Sequence, residues 1–289
     1  MYVLFAKGLI SVNAHRSKTW QNSNMPYKCC RTDSKGCMTL STHDFQLPLR
    51  ATQHKDFLQT PAASAENPRF RAVILDCEMA GIANGAGEAI FLCAADYVTG
   101  AVLLNRFVCP REKITQMRSS IHGISKSALD AAISQGQALS GWEEARTELW
   151  KYIDDNTILV GHALEHDLDA LRMIHPRVVD SGILSRNAVG IHRIRWGLKT
   201  LCPELLNFEI RKNKGGIHDC LEDVLATREV VLFCTQNKEA FQTWAKAKKS
   251  EEIRLQKERE IARQEKKKEQ AKKDEIGRAS CRERVFALV

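Results

Sequence analysis

Apolar and polar positions along the chain change rhythm several times. Residues 71–79 carry the uninterrupted apolar run Val73-Ile74-Leu75, which predicts a buried strand. "EAIFLCAADYV" (Glu88–Val98) and "AVLLNRFV" (Ala101–Val108) predict two further strands, joined at Thr99-Gly100 by a hairpin turn. The spacing then lengthens. Over Gly141–Asp154, Trp142, Ala145, Leu149, Trp150 and Ile153 share one helical face. "TILVGH" (Thr157–His162) predicts a short buried strand. The helix "EHDLDALRMI" follows and stops before His175-Pro176, and "RVVDS" reads as a last strand. "GLKTLCPELLN" and "DCLEDVLATREVVLFCTQ" predict two more helices, the first shortened or kinked at Pro203. A three-strand meander followed by helices alternating with short strands predicts an α/β fold, a mixed sheet flanked by helices.

The flanks read differently. Residues 1–68 are rich in Ser, Thr, Asn, Gln and Pro with weak periodicity, which predicts a largely disordered extension. After Trp244 the chain is rich in helix formers but has few apolar anchors (Ile253, Leu255, Ile261), which predicts a solvated, partly helical tail and not a coiled coil. The expected organisation is an extension over 1–68, a folded domain over 69–245 and a basic tail over 246–275. "IGRASCRERV" (Ile276–Val285) reads like translated sequencing-adapter DNA, so 276–289 are expected to be an assembly artefact and carry no functional argument.

Charge sharpens this division. The chain carries 43 Lys and Arg against 35 Asp and Glu. By segment the balance is 8 against 4 over residues 1–68, 15 against 9 over 246–289, and 20 against 22 between them. Basic flanks on a near-neutral centre suit a polyanionic partner such as nucleic acid, or a tail that is merely solvated. No apolar stretch is long enough to cross a bilayer, and the N-terminus is a poor secretory signal. The ten cysteines do not form a disulfide pattern. Several (Cys77, Cys93, Cys109, Cys234) lie inside apolar runs, which suits free thiols in a reducing compartment. Cys29, Cys30 and Cys37 with His43 come closest to a zinc pattern, but they lack a C-x2-C pair.

Three groups of polar residues interrupt this apolar framework. In "AVILDCEMAG", Asp76 and Glu78 follow the buried run and point to the same side of a strand. Like charges placed together at the end of a buried strand raise the question of a divalent cation between them. In "LVGHALEHDLDAL", Asp167 falls in the first turns of a helix, whereas Asp169 lies about 200° further round. In "GGIHDCLEDVLATREVV", His218 and Asp223 open another helix, with Leu221, Val224, Leu225 and Val231 available to the core. A histidine gains nothing from the dipole there if charged, so a neutral, base-ready imidazole is expected. Each group alone is equally what a strand end or a helix N-terminus produces.

Taken in order, the groups resemble the DEDD superfamily of 3′-to-5′ exonucleases, in its histidine variant and its RNA exonuclease (REX) branch. "LDCEMAG", "ITQMRSSIHGIS", "LVGHALEHDLDAL", "VVDSGIL", "GLKTLCPELLN" and "IHDCLEDVLAT" carry the resemblance over about Arg71 to Gln236. Asp219, after His218, departs from the small polar residue more usual there, and would alter access to the histidine or its pKa.

The resemblance implies an RNase H-like fold and a metal-dependent 3′-to-5′ exoribonuclease that releases 5′-nucleoside monophosphates. Asp76, Glu78, Asp167 and Asp223 would hold two Mg²⁺ or Mn²⁺ ions, and His218 would act as general base. Met79 and Arg118 would contact the terminal nucleotide. Arg193, Arg195, Lys199, Arg211, Lys212 and Lys214 are placed in sequence to hold phosphates or to form a solvated face. Asp180 is expected to support the fold at a strand end. RNA is favoured over DNA by the branch resembled. A DNA exonuclease, or an inactive nucleic-acid-binding protein on the same fold, are the alternatives. Nuclear or nucleolar RNA processing and a monomeric state complete the expectations.

Overall fold

The computed structural model describes residues 56–83, 87–191, 193–213 and 215–286. Its strands are β1 (Leu58–Gln59), β2 (Ala72–Ile82), β3 (Gly87–Asp96), β4 (Val102–Cys109), β5 (Ile114–Gln116), β6 (Ala138–Ser140), β7 (Ile158–Gly161), β8 (Met173–Ile174) and β9 (Val178–Asp180). The main sheet runs β6-β4-β3-β2-β7-β9, with β5 also paired to β2. The predicted meander β2-β3-β4 is antiparallel, and β7 and β9 add in parallel. Gly100 turns the β3–β4 connection with φ 77°, a conformation that costs glycine nothing.

The β2 run is buried on both faces because helices cover both sides of the sheet. Val73, Leu75 and Cys77 join a cluster with Leu149, Ile153, Leu159 and Leu171. Ile74 points the other way, toward Cys220, Val224 and Val231 of the Cys220–Gln236 helix. Strand alternation therefore sends Asp76 and Glu78, in phase with Ile74, toward the N-terminal end of that helix. β2 does not stop at Asp76 or Met79: pairing with β3 and β5 carries it to Ile82, so the two carboxylates lie within a strand.

Other boundaries move for tertiary reasons. The Gly141–Leu149 helix ends five residues before Asp154, whose buried carboxylate accepts Asn156 N and Thr157 N (2.9 and 3.1 Å) and so competes with helical hydrogen bonding. The helix beginning at Glu165 stops at Ala170, because Met173–Ile174 pairs in parallel with β1. Leu198–Leu201 is α-helical, and Cys202–Leu206 widens into a π-helical turn at Pro203, which has no N–H to donate. In the Cys220–Gln236 helix Val224 and Val231 are buried as expected, but Leu225 is 38% exposed.

Of the N-terminal extension, residues 1–55, and with them Cys29, Cys30, Cys37 and His43, lie outside the described residues. The remainder is anchored: β1 pairs with β8, and Thr60 Oγ1 lies 2.9 Å from His175 Nδ1. Among the described residues Cys77, Cys93, Cys109, Cys202, Cys220 and Cys234 are free thiols. Beyond the sheet, Lys238–Phe286 forms one long helix. Phe241, Trp244 and Ala245 pack its start against Trp196, Leu201 and Cys234, and most positions from Lys246 to Gln270 are exposed. Among the described residues no helix is long and apolar enough to cross a membrane.

Candidate active site

Asp76 and Glu78 project from one face of β2, and the strand shifts register against β3 immediately after Glu78. Such an irregularity re-aims side chains. Ligand atoms of Asp76, Glu78 and Cys220 all fall within 4.8 Å of one another, as do those of Glu78, His218 and Asp223. Cys220 Sγ donates to Asp76 Oδ2 at 3.2 Å. Glu78 Oε1 is buried and has no hydrogen-bond partner.

Asp167 reaches the same stretch of β2. Its Oδ1 accepts the backbone N–H of Cys77 at 2.7 Å, tying the short Glu165–Ala170 helix to β2. Asp180 holds that helix from behind. Oδ2 accepts Leu164 N (2.8 Å) and Oδ1 accepts Ile183 N (2.9 Å), so one carboxylate pins two segments. It supports the fold, as expected. Asp169 is exposed and Asp167 buried, as the helical angle predicts. Glu165 pairs with Arg195.

Asp223 and His218 come from the start of the Cys220–Gln236 helix. Asp219 is its N-cap, accepting Leu221 N and Glu222 N (3.0 and 3.1 Å). This is the physical role of the departure noted in the sequence: the carboxylate is engaged in capping. His218 N donates to Ile121 O at 2.8 Å, and its Nδ1 lies 3.4 Å from Asp223 Oδ2. The histidine loop packs closely on Gly123, where an added Cβ would sit 2.9 Å from Ile217 Cγ2.

Arg211 corrects an expectation. Placed in sequence among phosphate contacts, its guanidinium instead grips Asp223, Nε to Oδ1 at 3.1 Å and Nη2 to Oδ2 at 2.6 Å. The residue has φ 56°, and its side chain is only 13% exposed. Cys220 is the other participant that motif reading missed. It is an apolar-looking helix position, and only the packing of that helix on β2 puts its thiol on Asp76. Lys212 is exposed, and Lys214 lies outside the described residues.

Electrostatics follow from crowding. Burial, then the charges of Glu78 and Asp223, push the Asp76 carboxyl well above its ordinary value. Burial and Asp223 push Glu78 up to about 7. Burial and Asp76 raise Asp167. Burial and the Arg211 charge depress His218, which favours the neutral imidazole expected there. Acids whose burial and mutual repulsion both disfavour the charged form, with one buried oxygen unpartnered, are a donor set that fits a hard divalent cation.

Met79 and Arg118 meet at the far end of β2. A Cβ at Gly87 would lie 3.4 Å from Met79 Cβ and 3.7 Å from Arg118 Nη1, and one at Gly81 would lie 3.3 Å from Arg118 Nη2. Arg118 takes φ 59° as it enters the Ser119–His122 helix.

Residues 73–231 match the exonuclease family RNase_T. This chain belongs to the exonuclease family. RNA exonuclease 3 of Candida albicans is 30% identical over 72% of the chain, and the Saccharomyces cerevisiae protein of that name is likewise 30% identical over 72%. The chain spans 50% of the length of each. Small RNA degrading nuclease 2 of Arabidopsis thaliana is 28% identical over 69% of the chain and is itself covered over 43%. Two solved structures share the fold, which is RNase H-like. The Neurospora crassa Pan2 catalytic unit matches with TM-score 0.54 at 17% identity, over 66% of this chain and 32% of that one. The S. cerevisiae Pan2 module in complex with AAGGAA RNA matches with TM-score 0.55 at 16% identity, over 68% and 34%.

Proposed function

We propose that the chain is a metal-dependent 3′-to-5′ exoribonuclease. The observation that carries this reading is the convergence of Glu78, His218 and Asp223 beside Asp76, with Glu78 Oε1 buried and unpartnered. Asp76, Glu78, Asp167 and Asp223 would hold two divalent ions, Mg²⁺ or Mn²⁺. When bound, these supply positive charge for an in-line phosphoryl displacement. The protein's own residues do the rest. His218 turns Nδ1 toward Asp223, so Nε2 is the nitrogen offered to the attacking water. It takes the water's proton as the oxygen attacks the terminal phosphodiester. The bond to the 3′-oxygen breaks, that oxygen is protonated, and a 5′-nucleoside monophosphate leaves. Met79 packs against the terminal nucleotide, and Arg118, over Gly81 and Gly87, reaches the same nucleotide.

The names of the relatives support RNA as the substrate, and the basic flanks suit a polyanion and are compatible with nuclear import; processing of ribosomal or other structured RNA in the nucleus is what the family resemblance suggests. The test compares 3′-labelled RNA with 3′-labelled single-stranded DNA in Mg²⁺ or Mn²⁺, with a 3′-blocked RNA to separate exonuclease from endonuclease. Asp76→Asn and His218→Ala are each expected to remove most turnover in a folded protein. Full activity in Asp76→Asn would sink the mechanism.

A further inference from the structure

Outside the catalytic pocket, the long helix and the loop before Trp196 enclose a groove of about 670 Å³. Arg259, Arg263 and Lys267 line it from the helix and Arg193 from the loop, against a single acid, Glu260. The three helical cations are four residues apart and so share one face. Like charges at that spacing repel weakly along the helix, and an anion in the groove would relieve that repulsion. Arg193 is also tied to the helix, donating to Gln256 at 2.6 Å.

The groove is joined to the pocket by exposed cations. From Arg193 the same loop runs to Arg195, which pairs with Glu165 two residues before Asp167. Lys199 follows, with Nζ 3.1 Å from the position of a Cβ on Gly216, two residues before His218. The cations of residues 193–199 therefore connect the carboxylate cluster to the groove.

We infer that this groove holds the phosphodiester backbone of single-stranded RNA upstream of the 3′ end being hydrolysed. The inference rests on the exoribonuclease reading for its choice of ligand. It assigns the tail a binding surface with a definite face. An acidic polypeptide would satisfy the groove's charge but would have no reason to follow the row of cations to the pocket. Phosphate contacts of this kind add affinity without reading sequence.

The experiment uses the full chain and a fluorescent 20-nucleotide RNA carrying a 3′-phosphate, titrated in EDTA across a range of salt. Two double variants remove the same charge. Arg259→Gln with Arg263→Gln lies on the groove face, and Arg254→Gln with Lys272→Gln about 150° round the helix from the centre of the groove lining. The groove pair is expected to weaken binding at least several-fold and to flatten the log–log salt slope by about 1.4, at about 0.7 per single-strand phosphate contact. The opposite pair is expected to stay close to wild type. Equal effects of the two pairs, or none from the groove pair, would overturn the inference. So would poly-glutamate binding the groove as tightly as RNA of matched charge. The enzymatic reading fails separately, by the absence of mononucleotide release from unblocked RNA, which leaves this binding measurement intact.

Discussion

Replacing Arg211 by Gln removes a guanidinium from both oxygens of a carboxylate that is 2% exposed. Deleting one partner of a buried ion pair typically costs about 3–5 kcal/mol, because the remaining charge is left uncompensated. Arg211 retains some exposure, and His218 lies 3.4 Å from the stranded oxygen, so the lower end applies, about 3 kcal/mol in metal-free protein. At about 2–4 °C per kcal/mol for a domain of this size, melting should fall by roughly 6–12 °C in EDTA. A divalent cation bound at Asp223 would take over the charge that Arg211 supplies. With Mn²⁺ in excess, the deficit should therefore shrink to about 1 kcal/mol or less, since the variant no longer has to displace its own cation before binding. Denaturant unfolding of wild type and Arg211→Gln, each with EDTA and with Mn²⁺, measures all four states. Titration calorimetry should show tighter Mn²⁺ binding by the variant. An identical loss in both conditions would mean that Arg211 and the metal do not share Asp223, and would refute the reasoning.

Asp76→Asn removes the cost of burying an acid, and with it the repulsion from Glu78 and Asp223, so besides losing turnover the variant should be more stable than wild type in EDTA, by urea unfolding. Metal-free stability should fall as pH rises from about 4.5 to about 7, read from unfolding midpoints. Glu78 is pushed up to about 7 when folded but titrates near 4.3 unfolded, so the native state holds the extra proton in that window. By the same linkage, Mn²⁺ binding should release protons and tighten as pH rises through 7, seen in calorimetry across buffers of different ionisation enthalpy. Asp180→Ala strands the N–H groups of Leu164 and Ile183 and should cost about 1–3 kcal/mol, with metal affinity lowered through a displaced Asp167; Asp180→Asn should recover part of both.

Local pattern was enough to find the main elements. The apolar run before Asp76, the Thr99-Gly100 turn and the start of the Cys220–Gln236 helix are all written in short-range order, because strand and helix periodicities are local. The order and spacing of Asp76, Glu78, Asp167, His218 and Asp223 also picked out the candidate site, since the motifs keep their identity along the chain. Geometry was not legible. Asp76 and Glu78 lie in mid-strand because pairing with β3 and β5 extends β2, and the pattern of β2 itself does not show how far its partners run. Met173–Ile174 left its helical pattern because β1 offered backbone hydrogen bonds. Arg211, one cation among several in a basic loop, became the counter-charge of Asp223 only when the chain folded. Residue type and spacing determine which groups can do chemistry. Distance, burial and mutual charge decide which of them meet, and those depend on contacts between segments that no local pattern encodes.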